Sequence, residues 1–382
     1  MKLPPPILVQ TYAAWRECLV QLRRSSSLAI DTESNSLHAY REQVCLIQIS
    51  TLDQDYIIDP LCLPDLDGLG ELMADPTVEK VFHAAEYDIL CLKRDFAYAF
   101  VNLFDTMLAS RILGWRKNGL AAILAQEFGV RANKRYQRAN WGRRPLPPEQ
   151  IAYAQMDTHY LLPLRDKMAV DLEAAGWSAA ARESFARMAK VTPSPRTSDS
   201  NDFWRLLNGR PQLTPQQHAV LRELYFFRDR EAQRRDLPPF KILGDQTLVE
   251  LTEALPHYPD EMQGIHGLTP RVASRYASKL IRAVKRGMRA EHPKPPPHRA
   301  RPPSVELARF DALRAWRRER ATGRGVESDI IASKKALWEL AHCNPRTTAE
   351  LESIKSLDVW QRNEYGQELI ELLNQTKERR CN

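Results

Sequence analysis

The stretch Leu28-Ala-Ile-Asp31-Thr-Glu33 decides how this chain is read. Leu28–Ile30 is an apolar run that predicts a strand, and Asp31 and Glu33 come at its end, two residues apart. Side chains alternate along a strand, so both carboxylates leave the same face. Taken singly, an Asp-x-Glu after an apolar run is equally a strand running out into a solvated loop. Two further acids bear on the choice, though each taken alone is as easily a surface charge on a helix: Asp88, in Phe82-His-Ala-Ala-Glu-Tyr-Asp88, and Asp157, in Tyr153-Ala-Gln-Met-Asp157. Tyr153 and Asp157 lie four apart in a helical stretch and share a helix face. Hard divalent cations take oxygen ligands, and a pair of such ions acting on one phosphodiester needs several carboxylates converging from different elements. Asp31, Glu33, Asp88 and Asp157 supply such a set and predict the metal-binding centre of a nuclease.

The surroundings of these acids strengthen the reading. Asp31-Thr-Glu-Ser-Asn-Ser-Leu-His-Ala-Tyr40, Val44-Cys-Leu-Ile-Gln-Ile49, Val81-Phe-His-Ala-Ala-Glu-Tyr-Asp88, Phe104-Asp-Thr-Met107, Arg138-Ala-Asn-Trp141 with Arg144-Pro-Leu146, and Tyr153-Ala-Gln-Met-Asp-Thr-His-Tyr-Leu-Leu162 follow one another in order. Together they closely resemble the ribonuclease D family of DEDD-type 3′→5′ exonucleases, in the subclass with a tyrosine four residues before the last aspartate. The resemblance implies an α/β ribonuclease-H-like exonuclease domain, a mixed sheet flanked by helices. It implies two divalent metal ions, Mg²⁺ or Mn²⁺, with Asp31 bridging both and Glu33, Asp88 and Asp157 completing the ligand shells. One ion would activate the attacking water while the other meets the leaving oxygen. Tyr153 is then a catalytic residue; its ordinary pKa near ~10 makes it a poor base, so it orients the water.

The strand and helix signals agree with a mixed sheet. Leu28–Asp31, Val44–Ser50, Tyr56–Asp59 and Val78–Phe82 read as strands, and Tyr87–Lys93 as helix. Asp105 reads as the N-cap of a helix running to Gly114, a structural role despite its charge. His83 ends an apolar strand and reads as a hydrogen-bonded structural group, outside the ligand set. His159, two residues after Asp157, is about 200° round the helix and points away. Gln48, in an apolar strand, either faces the substrate or satisfies buried backbone groups. For Leu37 and His38, after the first acidic motif, substrate contact is one reading.

With 382 residues the chain is too long for a single compact core. Hydrophobic residues make up 43%, enough for real cores, yet no run of ~18 apolar residues predicts a membrane span. The opening Met-Lys-Leu-Pro-Pro-Pro-Ile-Leu lacks the apolar stretch of a secretory signal. Six cysteines show neither close pairing nor a Cys-x-x-Cys spacing, so reduced thiols and a cytoplasmic protein are expected. The 55 Lys+Arg against 48 Asp+Glu leave a net charge of +7, which favours a polyanionic partner. Its distribution is more telling: Arg131, Lys134, Arg135, Arg138, Arg143 and Arg144 fall in a segment without an acid, interleaved with Tyr136 and Trp141. Cations on phosphates and aromatic faces on bases suit single-stranded nucleic acid. Lys134, Arg135, Tyr136, Arg138, Trp141 and Arg144 are therefore the expected RNA contacts.

Two Pro-rich breaks divide the chain. Residues 191–204 have a Pro/Ser-rich linker composition, and 291–304 are a basic Pro-rich linker expected to be extended. Between and beyond them, shifting the chain 89 positions against itself aligns Arg228 with Arg317, Ile242 with Ile331, Leu248 with Leu337, Leu251 with Leu340, Tyr276 with Tyr365 and Leu280 with Leu369. Apolar matches at helical spacing predict two copies of one small helical bundle. The first, with Leu237-Pro-Pro-Phe240 and Ile265-His-Gly-Leu268, resembles the HRDC domain; the second lacks the Pro-Pro and Gly-Leu pairs. The expected organisation is an exonuclease domain over 1–190, an HRDC domain over 205–290 and an HRDC-like domain over 305–382. Arg282, Lys285, Arg286, Arg289, Lys294, Arg299 and Arg301 form a basic strap, read as a phosphate contact or a solvated linker.

The expected activity is metal-dependent 3′→5′ exonucleolysis of RNA, releasing 5′-mononucleotides from single-stranded 3′ ends of structured RNA such as tRNA precursors. A DNA 3′ end as substrate and a non-catalytic RNA-binding scaffold are the alternatives. Discrimination would rest on contacts to the 2′-OH, which no residue here identifies.

Overall fold

The computed structural model describes residues 3–63, 65–131, 134–194, 201–207, 213–296 and 302–378. The sheet domain runs β1 (Ile7–Val9), α1 (Tyr12–Leu22), β2 (Ser27–Ser34), β3 (Val44–Ser50), β4 (Asp55–Ile58), α2 (Leu69–Ala74), β5 (Glu79–Phe82), α3 (Glu86–Phe96), β6 (Leu103–Asp105), α4 (Thr106–Ile112), α5 (Leu120–Glu127), α6 (Pro148–His159), α7 (Leu161–Ala174) and α8 (Ser178–Met188). The six strands form one mixed sheet in the order β1-β4-β3-β2-β5-β6. β3 is antiparallel to both β2 and β4, whereas β1 on β4, and β5 on β2 and on β6, are parallel. Every residue of β3 is buried, as its apolar run requires of a strand covered on both faces.

The predicted strands are present, with one extension that matters. β2 does not end at Asp31; pairing with β3 carries it to Ser34, and the register shifts only after Glu33. Both acids therefore stand inside a hydrogen-bonded strand. β1 and β6, three residues each, carry too few alternations to be read from pattern. Asp105 caps α4 by accepting from the backbone N–H of Met107 and Leu108 at 2.9 and 3.0 Å. It also accepts from the N–H of Ala84 and Ala85, tying down the turn that leads into α3.

The first helical bundle comprises α9 (Pro215–Arg235), α10 (Pro239–Ile242), α11 (Asp245–Ala254) and α12 (Pro270–Gly287). The second repeats it as α13 (Ser304–Arg324), α14 (Ser328–Ile331), α15 (Lys334–Cys343) and α16 (Val359–Glu378). The duplication extends to detail. Arg228 Nη1 donates to the Leu243 carbonyl at 3.2 Å, and its counterpart Arg317 donates to Ala332 at 3.0 Å. Leu255 and Asn344, also 89 apart, both take a left-handed C-cap conformation, with φ of 47° and 50°.

Compactness regroups these parts. Met1–Ser34, Val44–Pro193 and Arg301–Asn382 form one unit, so the second bundle packs with the sheet domain; Asn35–Gln43 and Ser194–Ala300 form the other. In that second unit, Tyr40 Oη donates to Asp229 Oδ1 at 2.9 Å and its N–H to Asp236 Oδ1 at 3.0 Å. Residues 291–296 have no regular secondary structure; Arg299 and Arg301 of the basic strap lie outside the described residues. Among the described residues no helix is long and apolar enough to cross a membrane.

Candidate active site

Carboxylate oxygens of Asp31, Glu33 and Asp157 all come within 4.8 Å of one another. Two come from β2 by strand alternation; the third comes from α6, which lies across β2, β3 and β4. Side chains on the concealed side of α6 hold it there. Gln155 Nε2 donates to Asp55 Oδ2 at 2.6 Å and to the Pro4 carbonyl at 2.7 Å, and the hydroxyls of Thr158 and Ser50 are 2.7 Å apart. His159 Nδ1 is 2.8 Å from Asp55, turned away from the acids as its helical position predicts.

Asp88, in the first turn of α3, stands outside the trio that meets within 4.8 Å and is tied to the strand between its two acids. Its Oδ1 accepts from the backbone N–H of Thr32 at 3.1 Å and from the Thr32 hydroxyl at 2.5 Å. Thr32, between the two acids of β2, thus fixes Asp88 beside them; nothing in the sequence pattern marked it for that task. Gln48 is the cross-strand partner of Asp31, fully buried, and neither amide atom has a hydrogen-bond partner in the structure. His83 is hydrogen-bonded to Thr106 at 2.9 Å, and burial pushes its pKa down to about 4, in keeping with a structural group.

The acids strain against one another electrostatically. Burial first, then the charges of Asp88, Asp157 and Glu33, holds Asp31 well above the ordinary carboxylate range. Burial and the neighbouring charges of Asp157 and Asp88 raise Glu33 to about 9. Burial raises Asp88 to about 7 although the Thr32 bonds oppose it, and raises Asp157 to about 7 although the Tyr153 hydroxyl, donating to it, opposes it. Among the described residues no Lys or Arg forms an ion pair with any of the four. An all-oxygen cluster that lacks its own cation fits a divalent metal.

Tyr153 is wedged between rings: Tyr136 lies 6.1 Å away, edge-on, and Trp141 6.0 Å away, tilted. Burial and the three nearby carboxylates raise its pKa, so it stays a phenol and acts as a donor.

The expected RNA-contact set divides. Trp141 is buried in a small core with Cys45, Leu46, Ile57 and Ala154, so it cannot stack on a base; it packs the back of Tyr153. Arg144 is likewise internal in its bonding. Its guanidinium donates to both oxygens of buried Asp59, at 2.6 and 2.7 Å, and to the carbonyls of Trp141, Arg143 and Cys45. Although burial works the other way, the bonds from Arg144 and Gln10 hold the Asp59 carboxyl below its ordinary value. The Trp141 assignment is corrected: the fold spends that ring on packing the loop from within, whereas Arg144, though engaged by Asp59, keeps part of its side chain exposed. Arg135, Tyr136, Arg138 and Arg144 line an open cavity of about 560 Å³ together with Asn140, Arg143 and Gln150. The side chain of Lys134 lies outside the described residues.

Comparison with known proteins places these features in context. Residues 6–173 match the 3′-5′ exonuclease family, and residues 217–284 and 306–373 each match the HRDC domain, 89 positions apart. The chain is 33% identical to the exosome complex exonuclease RRP6 of Saccharomyces cerevisiae over 292 residues, 72% of this chain but only 39% of that protein. The chain therefore spans well under half of this curated relative. The catalytic core of RRP6 from Trypanosoma brucei superposes with a TM-score of 0.67 at 28% identity, covering 75% of this chain and 81% of that one. Escherichia coli RNase D shares the fold over 97% of this chain and 99% of its own, with a TM-score of 0.68 at 23% identity.

Proposed function

We propose that this chain, which joins a 3′-5′ exonuclease domain to two HRDC domains, is a metal-dependent 3′→5′ exoribonuclease of the RNase D/RRP6-like kind. It removes 5′-mononucleotides from the single-stranded 3′ ends of structured RNA, tRNA precursors among them, in the cytoplasm. The convergence of Asp31, Glu33 and Asp157 oxygens within 4.8 Å carries the reading. Two divalent ions held by Asp31, Glu33, Asp88 and Asp157, Mg²⁺ or Mn²⁺, would supply a nucleophilic water and stabilise the leaving 3′-oxygen. Asp31, which interacts with all three of the other acids, would help to hold both ions, and the bonds from Thr32 hold Asp88 in place. Tyr153, held as a phenol by burial and by its carboxylate neighbours, orients the attacking water and does not act as its base. Arg135 and Arg138, exposed on the loop before α6, meet the phosphates of the strand behind the scissile bond.

Matched 3′-labelled and 5′-labelled RNA and DNA oligonucleotides, with Mg²⁺ and with chelator, test the proposal. A 5′-labelled RNA ladder shortening from the 3′ end, abolished by chelator and by a 3′-phosphate block, is the expected result. Cleavage of a circular RNA, or chelator-insensitive digestion, overturns it. Digestion of DNA at the RNA rate would move the substrate to DNA ends.

A further inference from the structure

We infer that the exposed face of α12, in the first bundle, is a phosphate-binding edge for the double-helical stem of an RNA, a role its duplicate α16 has lost. The inference deepens the exoribonuclease reading and rests on it for the identity of the polyanion as RNA. On α12 the buried side is Tyr276, Leu280, Ile281, Ala283, Val284 and Gly287. Arg271, Arg275, Arg282 and Lys285 stand on the opposite side, all exposed. At 3.6 residues per turn these four fall within roughly 80° of the helix circumference and span about 20 Å along its axis. None has a carboxylate within ion-pair distance among the described residues, whereas the flanking Lys279 and Arg286 are paired to Glu231 and Glu223.

Two physical features select a duplex as the occupant. The stripe carries Ser274 and Ser278 between its cations and no aromatic ring, so it offers nothing for an unpaired base to stack on. It is also rigid. A Cβ added to Gly287 would lie 2.4 Å from the Cα of Val220, so the end of α12 is pressed directly onto α9. A straight, fixed row of cations matches a regular phosphate backbone, and double-stranded RNA is recognised mainly through shape and such contacts.

The internal repeat supplies the control. The residues 89 positions on from Arg271, Arg275, Arg282 and Lys285 are Trp360, Glu364, Glu371 and Asn374. The same face in the second bundle therefore carries acids, and Trp360 is buried against the sheet domain's Trp177. Two bundles with one fold and opposite charge on one face cannot share a polyanionic ligand there.

The test is equilibrium binding of the full chain, in chelator to prevent hydrolysis, to a blunt RNA hairpin and to a single strand of equal length. Arg275→Ala/Arg282→Ala should weaken hairpin binding on the order of tenfold at moderate salt. Its log–log salt slope should fall by roughly 1.8, about 0.9 for each lost phosphate contact, and single-strand affinity should fall less. Arg275→Lys/Arg282→Lys should bind the hairpin as the parent does, which separates charge from folding. Unchanged hairpin affinity in the Ala variant overturns the inference, as does an equal loss on both RNAs. Hydrolysis of a short single strand by the unmodified chain reports separately on the exonuclease reading.

Discussion

Trp177, at the entrance to α8, meets Trp360, at the start of α16, edge to face, with ring centroids 5.7 Å apart and planes at 82°. The Arg324 guanidinium covers the other reach of the Trp177 ring, 4.4 Å from its centroid. Around this contact Arg111 donates to Glu327 and Asp329, Arg187 to Asp358, and the Trp360 N–H to Glu183. The second bundle is thus a buttress of the sheet domain. Trp360→Ala should cost about 3–5 kcal/mol of stability, the usual range for deleting a buried Trp, measured by urea unfolding. A chain ending near residue 191 should be less stable than the full protein. A truncated form with an unchanged midpoint would show that the sheet domain stands alone.

Asp31→Asn and Asp88→Asn should reduce RNA hydrolysis to background in Mg²⁺, since each removes an anionic oxygen donor. Both should leave the metal-free protein at least as stable as the parent, because each also relieves charge repulsion in a buried site. Calorimetry without metal, beside the hydrolysis assay, checks both halves; a large loss of stability would make these acids structural.

Tyr153→Phe removes only the hydroxyl, leaving a ring packed by Tyr136 and Trp141. Single-turnover rates should fall on the order of 10²–10⁴, with the melting temperature near the parent's. A parental rate would reduce Tyr153 to packing.

Asp88 and Asp157 titrate near 7 and Glu33 near 9 in the metal-free fold, against about 4 when unfolded. A raised carboxyl pKa means that the unfolded state binds fewer protons as pH rises above ~4, so these groups cost stability increasingly up to their folded pKa values. A divalent ion must displace those protons to bind. The rise in melting temperature on adding Mg²⁺ or Mn²⁺ should therefore be larger at pH 8 than at pH 6. Equal shifts would count against these acids as the ligands.

Arg144→Ala strands the carboxylate of Asp59, whose side chain is 1% exposed, and should destabilise the fold by about 3 kcal/mol. Arg135→Ala and Arg138→Ala should instead leave unfolding midpoints within about 0.5 kcal/mol. Each should lower the salt slope of single-strand binding by roughly 0.7. Denaturation and binding titrations on the three variants separate the two classes.

Local regularities wrote the first level of this protein into its sequence. Alternation along Leu28–Glu33 placed Asp31 and Glu33 on one face, and a four-residue helical step did the same for Tyr153 and Asp157, because both periods are fixed by backbone geometry. The 89-residue offset located both bundles, down to the paired carbonyl contacts of Arg228 and Arg317. What the tertiary structure alone decided depends on residues far apart in the chain. Asp88 reaches the site only because Thr32, 56 residues earlier, receives it. Trp141 looks like an RNA contact until Cys45 and Leu46 close around it, since composition reports aromaticity but not exposure. The docking of α16 on α8 through Trp360 and Trp177 was equally hidden: a buried interface tryptophan and a core tryptophan obey the same apolar pattern, and only the packing of the two surfaces tells them apart.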